Sequence, residues 1–153
     1  MVTRIYIDAD ALPRKNKDII LKAVVRHRIP LIVVANKWIE LPKRPFIKMK
    51  VVAQGFDKAD EWIAERCGSG DLVITSDIPL ANDCISKDAK VVTARGRVLT
   101  ASNIGPALSA RNFSEDMRNS GLTLGGGPPP MGPREIQQFS NAFNQWVQQR
   151  GQQ

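Results

Sequence analysis

The chain has 153 residues, 42% of them apolar and 24% charged, and its 22 Lys and Arg against 15 Asp and Glu give a formal charge of +7. That length suits one domain with one sizeable core, and no apolar run approaches the roughly 20 residues that span a bilayer, so no membrane partner is expected. The cationic excess favours a polyanionic partner, nucleic acid first, with plain solubility as the alternative.

Two acids within the first ten residues argue against a secretory signal. Cys67 and Cys84 fall in helix-like segments. They read as reduced core thiols of a cytoplasmic protein, because small secreted scaffolds usually carry more cysteines.

In chain order, the first apolar run is Arg4–Asp8, followed by a helical pattern over 14–28 and a second run, Leu31–Ala35. The stretch from Lys37 to Phe46, interrupted by Pro42 and Pro45, reads as an irregular crossover to a third run, Lys48–Ala53. A helix over 57–67 leads to the run Leu72–Thr75, and a helix over 78–87 to the run Lys90–Thr93. The segment "RGRVL" suggests a turn or small hairpin, and two helices are predicted near 102–111 and 113–120. "GLTLGGGPPPMGP", residues 121–133, has the character of a linker. A final helix over 134–150 carries the apolar stripe Ile136, Phe139, Phe143, Trp146 and Val147. Such a stripe should dock on the body of the same single domain or on a second copy, making the protein a monomer or a homodimer.

Short Val- and Ile-rich runs bounded by polar turns read as buried parallel strands. Their alternation with helices predicts an α/β fold: an open, mostly parallel sheet with helices on both faces. In such sheets ligands bind beyond the carboxyl ends of the strands. Two strands run directly into carboxylates there, "IYIDADALP" into Asp8 and Asp10 and "GDLVITSDIPLA" into Asp77. A third acidic group, Asp57, Asp60 and Glu61 in "GFDKADEWIAE", opens the helix after the third strand. Converging carboxylates repel and raise one another's pKa, so the cluster calls for protons, a cationic side chain or a bound cation. Oxygen donors without nearby His or Cys point to Mg²⁺ or Mn²⁺.

Capping roles compete with this reading. Asp57 and Asp77 each precede a helix, with Pro79 suited to the first turn after Asp77, and Asp10 could cap the helix introduced by Pro13. Asp8 ends a strand too far from a helix to cap one. Among the cations, Arg14, Lys15 and Lys17 crowd the positive end of the first helix dipole, where a phosphate would compensate them. Arg95 and Arg111 are further phosphate candidates, with Arg95 just after the fifth strand. His27, the single histidine, falls at the far end of the first helix and is discounted as a base.

The motifs "IDADALP", "GFDKADEWI", "GDLVITSDIPLA", "ARGRVLTASNI" and "GGGPPP", with Phe139 beyond, together resemble the YaiI/YqxD family of bacterial proteins. That family is similar to PIN-like domains, which are Rossmann-like and three-layered. The resemblance implies five strands in the order 3-2-1-4-5 and a metal-binding acidic cluster of nuclease type. Asp8 matches the acid after the first strand, Asp60 is the nearest match to the helical acid, and Asp77 matches the acid after the fourth strand. Leu12 stands where the family commonly has Cys, and "TARGR" where PIN nucleases often have a further acid.

The leading expectation is a divalent-metal-dependent nuclease acting on RNA or structured nucleic acid. Its catalytic set would be Asp8, Asp10, Asp60 and Asp77, with metal ligands drawn from Asp8, Asp57, Asp60 and Asp77. Two alternatives stand beside it. One is a haloacid-dehalogenase-type phosphatase with Asp8 as nucleophile. The other is a non-catalytic nucleic-acid-binding module.

Overall fold

The computed structural model describes residues 3–54, 58–110 and 131–150. One sheet contains β1 (Ile5–Asp8), β2 (Leu31–Ala35), β3 (Ile47–Val51), β4 (Leu72–Ile74), β5 (Lys90–Val92) and β6 (Val98–Leu99). The helices are α1 (Arg14–His27), α2 (Lys58–Arg66), α3 (Ile78–Ser86), a segment α4 over 104–110, and α5 (Pro133–Gln149). The expected second helix of the 102–120 region and residues 121–130 of the Gly/Pro-rich segment lie outside the described residues.

The strand order is β3-β2-β1-β4-β5-β6, with β1 to β5 parallel. The apolar runs predict five strands and the sheet has six, because "RGRVL" adds an antiparallel edge strand pairing Val91 with Leu99 and Val92 with Val98. Gly96 makes this hairpin possible. Its φ of +88° lies in the left-handed region that side chains avoid, and its N–H donates to Thr93 O at 2.9 Å. The third strand starts and ends earlier than its apolar run suggests. Its ladder with β2 is closed by Val52 N–H donating to Ala35 O at 2.9 Å, where β2 itself stops.

Alternation along the strands divides the core between the two faces. On one face Ile5, Ile7, Val33 and Ile74 pack against Ile20 and Val24 of α1 and Phe139 and Phe143 of α5. On the other, Tyr6, Val34 and Val73 pack against Ile63 of α2, Leu80 and Cys84 of α3 and Ile104 of α4. Cys67 and Cys84 are both free and buried. Phe139, Phe143, Trp146 and Val147 are all buried in this single chain, whereas Ile136 is half-buried. Phe139 and Phe143 stack with ring centroids 5.8 Å apart. Truncating Phe143 to Ala therefore removes about 3–5 kcal/mol of stability, readable as a lower urea midpoint at unchanged slope. No helix among the described residues is long and apolar enough to cross a membrane.

Candidate active site

Parallel pairing brings two of the predicted acids to one place. Ile7 of β1 lies opposite Ile74 of β4, so Asp8 and Asp77 leave adjacent strands at the same carboxyl rim. Asp8 is half-buried, and its Oδ1 accepts the Asp10 N–H at 3.1 Å. Burial pushes its carboxyl above the ordinary value of 3.8, and the charges of Asp10 and Asp77 push the same way. The N–H groups of Asp10 and Ala11 oppose this in part.

Asp10 does not cap α1. That helix begins after Pro13 with no side-chain cap and no acid in its first turn. Asp10 Oδ2 instead accepts the Asn36 N–H at 2.8 Å, tying the loop after β1 to the end of β2. Asp77 does cap its helix: Oδ1 accepts the Leu80 N–H at 2.8 Å, and its own N–H donates to Thr75 Oγ1 at 3.0 Å. One Asp77 oxygen is thereby held in place. The cap orients the carboxylate at the rim and does not exclude a second role for it.

Asp60 lies in the first turn of α2, and Asp57 lies outside the described residues. Among the described residues no group of three or more His, Cys, Asp or Glu could by itself hold a metal ion. The donors that come together are carboxylates of Asp8 and Asp77, with Asp10 adjacent. That set fits Mg²⁺, which keeps several waters and is commonly held by one or two carboxylates plus substrate phosphates.

The cations divide similarly. Lys17 is half-buried, and its Nζ donates to Ala9 O at 3.3 Å, on the loop that follows Asp8. Arg14 and Lys15 are exposed at the start of α1. Arg95 pairs with Glu135 at 3.9 Å, and Arg111 lies outside the described residues. His27 ends α1, away from the start of the helix that faces the acids.

A family model described as "Uncharacterized BCR, YaiI/YqxD family" matches residues 6–149. The chain belongs to the YaiI/YqxD family. It is 46% identical over 143 residues to a UPF0178 protein of Cellvibrio japonicus, covering 94% of this chain and 95% of that one. A UPF0178 protein of Solidesulfovibrio magneticus is 44% identical over 146 residues, covering 95% and 97% of the two chains. One from Shewanella amazonensis is 41% identical over 144 residues, covering 94% and 96%. No solved structure matches the chain significantly.

In this YaiI/YqxD protein one rim residue is absent from the sequence-based candidates. Asn16 is fully buried, and its Nδ2 donates to Ala94 O at 2.9 Å, anchoring the chain after β5 to the first turn of α1. Its Oδ1 is buried with no hydrogen-bond partner among the described residues. The signal lies in its spacing: Asn16 shares the buried stripe of Ile20 and Val24, and an amide on such a stripe needs a polar partner.

The raised pKa of Asp8 has a testable consequence in chelator. Its carboxyl binds a proton more tightly folded than unfolded, so stability falls as pH rises from 3.8 through the folded value and stays lower above it. Asp8→Asn has no such proton to bind. The difference in unfolding free energy, variant minus wild type, should therefore grow with pH over that window and then level off. A flat difference would show that burial and the neighbouring acids leave Asp8 unperturbed.

Proposed function

We propose that this protein is a divalent-metal-dependent hydrolase of phosphodiester bonds in nucleic acid, RNA foremost, acting in the cytoplasm. The observation that carries the reading is the pairing of β1 with β4, which sets Asp8 beside Asp77, with Asp10 adjacent, at one carboxyl rim. The resemblance of the acidic motifs around Asp8 and Asp77 to those expected of PIN-like domains supports it. So do the net positive charge and the cationic start of α1.

Asp8 and Asp77 would hold the ion, with waters and substrate phosphates as its remaining ligands. A bound Mg²⁺ or Mn²⁺ supplies Lewis-acid polarisation of a phosphoryl oxygen and a more acidic water. Asp10, exposed and held through one oxygen by Asn36, is set to accept a proton from the attacking water. Lys17, Arg14 and Lys15 bind the phosphates on the α1 side, and Arg95, just after β5, extends that cationic lining. No covalent intermediate is required.

The test is cleavage of a labelled single-stranded RNA with Mg²⁺ or Mn²⁺, abolished by chelator. Cleavage undiminished in chelator would refute the metal-dependent reading.

One observation favours a second reading. Lys17, whose Nζ donates to Ala9 O next to Asp8, would be the cation available to balance charge in a phosphatase with an Asp8 nucleophile. Trapping a phospho-aspartate at Asp8 from a small phosphoester would support that route over the nuclease. A non-catalytic binding module would instead bind RNA equally well in chelator and cut nothing.

A further inference from the structure

Away from the acids, at the amino ends of β1, β2 and β3, the α2 side of the sheet is open. A groove of about 550 Å³ lies there, lined by Arg4, Tyr6, Phe46, Lys48, Trp62 and Arg66 among others. Three of these are cations and three are aromatic, and among the described residues no carboxylate lines the groove. The buried acid beside Arg4, Asp71, is already engaged through both oxygens, by the N–H groups of Arg4 and Gly68 at 2.9 Å each.

Arg66 is set as a rigid fork. Its guanidinium lies over the Trp62 ring, 4.3 Å from the centroid, and its Nη1 bonds Trp62 O at 3.3 Å and Glu65 Oε2 at 3.1 Å. Nε and Nη2 remain to meet a ligand. A planar guanidinium held by stacking loses little entropy on binding phosphate and can do so through two parallel bonds. A second groove that Trp62 also lines includes Lys50 and Lys58 together with Glu61 and Glu65, and Lys50 Nζ is 6.0 Å from the same ring centroid. Lys48 and Lys50 are exposed and two residues apart on β3, so they project from one face and form a cationic rail about 6–7 Å in step. Tyr6 and Asp8 share one face of β1 by the same alternation, so the groove lies on the Asp8 side of the sheet.

We propose that this groove binds single-stranded nucleic acid. Arg66, Arg4 and Lys48 hold its phosphates, the half-buried Phe46 and Trp62 offer their rings to its bases over the buried Tyr6, and Lys50 continues the track past Trp62 toward the carboxyl rim. Phosphate-binding cations interleaved with aromatic side chains are the chemistry that retains a strand without reading its sequence. The proposal takes its ligand class from the nuclease reading, but it concerns affinity, and it stands or falls separately from hydrolysis.

The test is fluorescence anisotropy of a 5′-labelled RNA dodecamer with the full chain in chelator, where metal-dependent cutting is off. Arg66→Gln and Lys48→Gln together should weaken binding at least roughly tenfold, since each removes charge-assisted bonds. Each single change should lower the slope of log affinity against log salt by about 0.7. Both variants should keep the wild-type Mg²⁺-induced shift in melting temperature, which reports the Asp8 rim alone. Undiminished affinity in the double variant, or no binding by the wild type, would overturn the groove whatever the hydrolysis assay returns. AMP binding as tightly as the dodecamer would also overturn it, by reassigning the groove to a free nucleotide.

Discussion

Asp8→Asn is expected to abolish the rise in melting temperature that Mg²⁺ or Mn²⁺ causes in the wild type, and to reduce RNA hydrolysis at least roughly a hundredfold. Outer-shell changes at metal sites already cost about 10–100-fold, and a lost charged ligand costs no less. At a metal concentration one hundred times Kd, binding to the folded state alone stabilises it by about 2.7 kcal/mol, and that increment should disappear. The metal-free variant should be more stable than wild type near neutral pH. There an ionised Asp8 bears the cost of burial and faces the charges of Asp10 and Asp77. Asp77→Asn separates the metal role from the capping role, because Asn serves nearly as well as Asp at an N-cap. It should keep the bond to the Leu80 N–H and still lose the metal response. Asp77→Ala should lose the response and about 1 kcal/mol of cap stability as well. Equal metal-induced shifts in wild type and Asp8→Asn would mean that these acids serve the fold alone.

Gly96→Ala is the second large effect. A Cβ at this position would come 2.3 Å from Gln138 C and 2.4 Å from Phe139 N, both backbone atoms of α5 that cannot swing aside. The φ of +88° adds strain of its own. Left-handed strain of about 1–2 kcal/mol and overpacking of about 1–3 kcal/mol together predict a loss of about 2–5 kcal/mol. That is a large share of the roughly 5–15 kcal/mol typical of a whole domain. Gly105→Ala is the matched control. Apart from its chain neighbours nothing lies within 4 Å of the place its methyl would occupy, and because Pro106 crowds a helical residue before it, the helical gain of Ala is offset and the change should stay within about 1 kcal/mol of neutral. Chemical denaturation of the two variants side by side would read the difference. Equal stability would mean that the β5–β6 hairpin does not rest on α5.

The order of elements was legible because each signal is local. Val- and Ile-rich runs ending at turns marked β1 to β5 to within a few residues, and the α5 stripe marked a helix with one apolar face. Neighbour relations in the sheet came from the family resemblance, since a strand's own residues do not state which strand lies beside it. The sixth strand is not legible as a strand because two residues, Val98 and Leu99, are too few to show a period. They become a strand only because Gly96 folds them back on β5.

At the rim, residue type and position at strand ends were enough to single out Asp8 and Asp77. The sequence could not divide capping from ligand roles, because one Asp before a helix satisfies both descriptions. Tertiary packing decided the capping half: Asp77 bonds Leu80, while Asp10 leaves its own helix uncapped and reaches across to Asn36. Packing likewise decided Asn16, whose partner Ala94 is 78 residues away. It also decided the groove at Trp62, whose cations come from β3, α2 and the residue just before β1. Periodicity and residue chemistry act over a few residues, so they announce elements and candidate groups. Which groups meet depends on contacts between distant segments, and these exist only once the sheet has assembled.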